Sequence, residues 1–401
     1  YVDGLHLSKD VPRGLRLLET AGTAGDDAAL YALGLLYQQG VVLEKNDALA
    51  AKFFLDSALR GNVEAMTAFA LFSLHGVGVP QNDTDAFRWF NAAADGGHAR
   101  GAYLVGWAYA VGRGTAKNLE QALKWYRLGA ERNSPEAMYA LGGLEENGIE
   151  GKKNVAAAMD WYAKAAGLGH VDAMLTLGYC YDRGLHVSKD VEQAVAWWRK
   201  AAGTGNLLAH RYLREVVQVD RVTKTTSDEL VAWFRSEAEK GNTHAMNELG
   251  NLLAYTPSIK NPSEARKWWA RSADLKNSYG LMLLGVAFEG GIGGEKSAEK
   301  AFELYSQSAK LGSLDGIRAL GVTYRDGIGT VKDATRAFEN FQKATDLGDV
   351  ESYGFLATAH INGQGTAKNP IKGVELYQAA VERGNASAMV SLGYLYETGK
   401  V

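Results

Sequence analysis

The stretch AMLTLGYCYDRGLHVSKDVEQAVAWWRKAAGTG, residues Ala173–Gly205, contains the phrase YDRGLHVSKDV (Tyr181–Val191). The chain opens with nearly the same words, YVDGLHLSKDV (Tyr1–Val11): eight of eleven letters agree at an offset of 180 residues. That offset is five times 36, and a 36-residue period runs through the chain. Aligned on Leu177, a large apolar anchor recurs at Leu33, Phe69, Val105, Leu141, Leu213, Leu249, Leu284, Leu320, Leu356 and Leu392, with one interval of 35 and the rest of 36.

A second column keeps the same step and is aromatic or long aliphatic in most units: Leu17, Phe53, Trp89, Trp125, Trp161, Trp197, Trp233, Trp268, Leu304, Asn340 and Leu376. Two helices per unit explain both columns. Seven residues before each first-column anchor stands a capping position, occupied by Asp, Asn or Ser in nine units and by His98 and His170 in the other two. Seven before each second-column anchor, from Asp10 through Thr226 to Asn369, every residue is a capping type whose side-chain oxygen can accept from a first-turn amide. Each unit therefore reads as helix A, a Gly-marked loop of about seven residues, helix B and a tight turn. The residue after the A anchor is Gly or Ala in ten units, which implies close approach of a neighbouring helix, and the alanines of helix B are expected to let the tryptophan rings bury. A single unit cannot bury its apolar face. Stacking does so, and the expected fold is all-α, a right-handed α-solenoid of about eleven stacked 36-residue helix-turn-helix repeats forming one continuous array over 1–401 that starts and ends within a repeat, as part of a longer array.

Composition agrees with a folded, water-soluble chain: 46% apolar and 22% charged residues, with 47 Gly and 6 Pro. A net charge of -3 without a basic run argues against nucleic acid as a partner. No apolar stretch approaches bilayer length, so no transmembrane segment is expected in this chain, and a membrane-protein partner stays compatible with it. Cys180 is the single cysteine, which excludes an intrachain disulfide and leans towards a reducing intracellular compartment. Two glycosylation sequons, at Asn82 and Asn385, fall on capping positions, and a capping role is expected for both.

The pattern A-x-x-x-L-G-x-x-Y-x-x-G followed by A-x-x-W-(W/Y/F)-x-x-A-A-x-x-G resembles the Sel-one-like repeat (SLR) family, relatives of the tetratricopeptide repeats, over essentially the whole chain. The resemblance implies an adaptor or scaffold that gathers protein partners, as in signalling, membrane-protein quality control and cell-envelope assembly, and not an enzyme. The family's cysteine-rich branch, proposed to bind β-lactams or cell-wall peptides, carries a disulfide in each repeat; with one cysteine this chain departs from it.

In tetratricopeptide arrays the concave groove is lined by positions two, five, nine and twelve after the helix-A cap. Carried onto this chain, they give Arg100, Tyr103 and Trp107, then Glu136, Tyr139 and Glu146, then Asp172, Leu175, Tyr179 and Asp182. This aromatic and acidic stripe suits a partner peptide or helix with apolar anchors and basic flanks. The alternative is that the aromatics pack between layers and the acids are merely solvated. The two functional alternatives are a structural subunit of a large multi-protein assembly and an envelope-associated hydrolase or cell-wall-peptide binder.

Catalytic, metal and cofactor motifs are not expected. The histidines form no i, i+4 pair, and GGIGG (Gly290–Gly294) lacks the preceding strand of a phosphate loop. Met66, Met138, Met174, Met246 and Met389 share one column, read as core, and Cys180 is read as an apolar filler. The array is irregular over 206–265, where Arg214 replaces the close-packing Gly, Asp220 replaces a loop Gly and the period slips. Either curvature changes there or an exposed loop is recruited for contact.

Overall fold

A computed structural model describes residues 10–148 and 152–398. The opening phrase up to Lys9, with His6, and the last three residues lie outside the described residues. Among the described residues there are 22 α-helices and no β-strand, grouped in two compact units, Tyr1–Ala201 and Ala202–Val401.

In the first unit, B helices α1 (Val11–Thr23), α3 (Asp47–Ala58), α5 (Asp83–Asp95), α7 (Leu119–Glu131) and α9 (Val155–Gly167) alternate with A helices α2 (Asp27–Gln39), α4 (Val63–His75), α6 (Ala99–Val111), α8 (Pro135–Asn147) and α10 (Val171–Arg183). Helix α11 (Val191–Gly203), a B helix, ends where the second unit begins. That unit continues with A helices α12 (Leu207–Gln218), α14 (Thr243–Tyr255), α16 (Ser278–Gly290), α18 (Leu314–Asp326), α20 (Val350–Asn362) and α22 (Ala386–Thr398). Its B helices are α13 (Lys224–Glu239), α15 (Pro262–Asp274), α17 (Ala298–Lys310), α19 (Ala334–Asp346) and α21 (Pro370–Glu382). Several successive A helices touch one another, α4 with α6 and α6 with α8 in the first unit and α12 with α14, α14 with α16 and α16 with α18 in the second, more than any successive B helices do. The A helices therefore form the closer-packed side of these stretches.

The caps act as the sequence indicates, with two informative exceptions. Asn62 Oδ1 accepts from the Ala65 amide at 2.8 Å and Asn46 Oδ1 from Leu49 at 3.0 Å, and the sequon residues Asn82 and Asn385 cap in the same way. Each such bond stabilises its helix by about 1 kcal/mol. His170, set apart by its residue type, also caps: its Nδ1 accepts from Ala173 at 3.2 Å. This requires the neutral ring, which burial favours by holding the imidazole below its ordinary pKa. His98 makes no cap bond; its Nδ1 lies 2.7 Å from the Thr67 hydroxyl of the preceding A helix. Thr226 is not the cap of α13, which begins a turn earlier with Thr223 Oγ1 accepting from the Thr226 amide.

The sequence implied a close neighbour at the small residues of helix A and set the tryptophan column among the alanines of helix B. The structure puts the residue after that column against the helix-A glycines. In seven units the Gly after the A anchor faces Phe54, Tyr126, Tyr162, Trp198, Trp269, Tyr305 or Phe341, the residue following the second column. A Cβ added at Gly34 would stand 2.5 Å from the Phe54 ring, and one at Gly142 2.5 Å from Tyr162. One residue is a 100° turn of the helix, so only one of two adjacent rings can enter the socket. The other stays half-buried beside it, as Trp89 does with its ring edge-on to Phe69 at 5.7 Å.

Met138, Met174 and Met246 are buried, Met66 is half-buried and Met389 is exposed. Cys180 is buried, and burial pushes its thiol up to about 11, as befits an inert filler.

The irregular segment opens one hairpin. Where other A helices present Gly, Arg214 points its guanidinium to Glu248 of α14, Nε to Oε2 at 2.6 Å. Helix α12 touches α14 more than α13, whereas in the hairpins α2–α3, α4–α5, α6–α7, α8–α9, α14–α15, α16–α17, α18–α19 and α20–α21 the two helices are each other's main neighbours. The reversal after α12 uses Asp220 at φ 53 in place of a loop glycine.

Candidate functional site

The nine stripe residues sit on α6, α8 and α10, consecutive A helices of the first unit, and the structure sorts them by burial. Arg100 and Asp172 are exposed, and Tyr179 is 46% exposed with the Arg183 guanidinium 5.9 Å from its ring centre. Tyr103, Trp107, Glu136, Tyr139 and Glu146 are half-buried, and Asp182 is only 3% exposed.

Packing accounts for these differences. Trp107 and Tyr103 lie against a core cluster containing Ala70, Phe90 and Val105, and the Tyr103 ring stacks on Tyr126 at 5.8 Å. Tyr139 is held from three sides: its ring lies 4.7 Å from His170 and 5.4 Å from Tyr162, and its hydroxyl is 3.3 Å from that of Thr176. Arg100 reaches across to Glu136, Nε to Oε1 at 3.7 Å, and both charges act on Tyr103, whose hydroxyl is raised chiefly by burial. Asp182 lies 3.4 Å from the Arg183 guanidinium and faces inward, so it is not part of the open row.

At the far end of the helices, Glu146 belongs to a cluster that residue spacing alone did not reveal. The Tyr162 hydroxyl donates to Glu146 Oε2 at 2.7 Å, and His186 Nε2 lies 2.9 Å from Oε1. The Tyr162 bond, followed by the His186 bond, holds the carboxyl below its ordinary range. His186 has φ 67, a left-handed conformation that most side chains avoid. The corresponding residue two repeats earlier is Gly114, where a Cβ would strike the Asp83 carbonyl oxygen at 2.1 Å. A histidine in a glycine column was the available signal for this link between repeats.

Among the described residues no group of three or more His, Cys, Asp or Glu side chains converges as metal ligands, and no helix is long and apolar enough to cross a membrane. The row offers aromatic faces, carboxylates and one guanidinium, which suit recognition of another polypeptide.

Eleven stretches, 1–26, 27–62, 63–98, 99–134, 135–170, 171–206, 243–277, 278–313, 314–349, 350–385 and 386–401, match the Sel1 repeat model. The unmatched residues between 206 and 243 hold the opened hairpin α12–α13. No curated protein matches the chain. Among solved structures, similarity extends to a protective antigen of uropathogenic Escherichia coli with an SLR fold, 25% identical over 100% of this chain and 86% of that one, TM-score 0.48. A Sel1 repeat protein of Oxalobacter formigenes is 21% identical over 86% of this chain and 91% of that one, TM-score 0.47. An immunity protein of Pseudomonas aeruginosa is 20% identical over 51% of this chain and 79% of that one, TM-score 0.39. Proteins built from such repeats generally act as protein-interaction scaffolds and are typically non-catalytic. With its repeats matched along both units, the chain belongs to the Sel1 repeat family.

Proposed function

We propose that the protein is a non-catalytic scaffold that holds a peptide or helix of a partner protein against the A-helix face of its first unit. The carrying observation is the row Trp107, Glu136, Asp172 and Tyr179, in which aromatic surface lies open or half-open among carboxylates. Such a row favours a segment with apolar anchors and Lys or Arg flanks, because aromatic anchors supply most of the contact energy and the charges select register. Tyr139 and Asp182 contribute through packing within the stack.

The test is to identify proteins that co-purify with the tagged chain from its natural source and to measure their affinity for variants. Trp107→Ala and Tyr179→Ala are each expected to weaken a groove-bound partner by about tenfold, with helical content unchanged. Unaltered affinity in both folded variants would refute the reading.

A structural subunit of a larger assembly is the second reading. It is favoured by Leu275, Leu311 and Leu347, which stand at equivalent B-to-A turns of the second unit, each more than half exposed. Recovery of a fixed set of many subunits, with turn leucines protected on assembly, would favour this reading over an exchangeable groove ligand.

A further inference from the structure

The second column has one break that leaves space in the second unit. At this position Trp89 and Trp125 pack on the core of their repeats, and Leu304 and Leu376 stand there in the repeats flanking α19. In α19 the residue is Asn340, whose amide turns back to its own helix, Nδ2 donating to the Arg336 carbonyl at 2.8 Å. The A anchors opposite the two leucines, Leu284 and Leu356, are 9% and 0% exposed, whereas Leu320, opposite Asn340, is only half-buried. A groove of about 590 Å³ lies between α17, α18 and α19, with Asn340 in its lining.

Its apolar wall is formed by Phe302, Leu320 and Tyr324, the two rings meeting edge to face at 5.4 Å. Its charged wall carries Lys310 and Lys343 against a single carboxylate, Glu303, and Arg336 lies over the Tyr324 ring at 5.5 Å. Both lysines are exposed. A groove of this size admits a ring-sized side chain, and its positive balance selects an acidic neighbourhood around that ring.

We propose that this groove takes an aromatic side chain of a partner protein, flanked by acidic residues, in the place where other repeats carry their own tryptophan. The proposal is independent of the A-helix row, which lies in the other unit and calls for basic flanks.

The probe is acetyl-Asp-(5-fluorotryptophan)-Glu-amide, followed by fluorine NMR as the whole chain is added. The expected result is a shifted and broadened line with an affinity of about 1 mM, a scale typical of so small a ligand. Asn340→Trp, which fills the groove with the protein's own ring, is expected to abolish the effect and to leave the helical spectrum unchanged. Asn340→Leu, the residue type already used at Leu304 and Leu376, serves the same purpose should the tryptophan variant misfold. Replacing Lys310 and Lys343 together by Ala is expected to weaken binding about fivefold, a loss of roughly 1 kcal/mol. Persistence of the line shift in the folded groove-filled variant, or equal binding of a control peptide, acetyl-Lys-(5-fluorotryptophan)-Lys-amide, would overturn the proposal, as would no line shift at all.

Discussion

At the scale of single residues, a missing Cβ is the main packing device. Gly178 lies so close to Trp198 that an added methyl would stand 2.2 Å from the indole nitrogen, and a fully buried ring has little room to retreat. Gly178→Ala is expected to destabilise the first unit by about 1–3 kcal/mol, the usual cost of overpacking, although Ala is the better helix former. Gly167, on α9, has nothing within 4 Å of its hypothetical Cβ, and Gly167→Ala is expected to stabilise by up to about 1 kcal/mol. Denaturant melts of the two variants should move in opposite directions. The glycine column and the caps were legible because each rests on a local rule about one residue type. The partner ring was harder to read, because a flat socket accepts Phe, Tyr or Trp alike. The true column is divided among Phe, Tyr and Trp, while six successive tryptophans, Trp89 to Trp268, mark the neighbouring position instead.

At the scale of elements, hairpin α12–α13 shows what happens when the socket is removed. Arg214 stands where other A helices present Gly or Ala, and its charge is matched by Glu248, whose side chain is only one-tenth exposed. Glu248→Ala leaves a partly buried guanidinium without its ion pair. The expected loss is about 2 kcal/mol, between the values for surface and buried pairs, read as a lower urea midpoint with an unchanged slope. The break itself was visible in the sequence at Arg214 and Asp220. The replacement partner was not, since Glu248 lies on the next A helix and becomes a neighbour only through stacking. The same limit applies to the A-helix row: spacing identified the helix face, but only contacts with His170, Tyr162 and Thr176 show that Tyr139 is pinned, and only burial shows that Asp182 faces inward.

At the scale of the whole molecule, a stack of repeats is stabilised mostly through nearest neighbours, so a weak hairpin remains locally weak. The segment unmatched by the repeat model coincides with the hairpin whose two helices scarcely touch. In native-state hydrogen exchange, amides of α12 and α13 are expected to open at lower free energy than those of α6 and α7, a hairpin of the regular kind. Equal protection in the two hairpins would show that the ion pair to α14 fully replaces the lost contact. The recurrence of one glycine-to-ring joint in both units has a consequence for heredity. Recombination between two copies of the coding repeat, in register, regenerates the same joint on either side of the crossover. The gene can thus gain or lose 36 codons at a time without a compensating change in the core, which leaves the grooves and turns free to diverge while the joint stays the same.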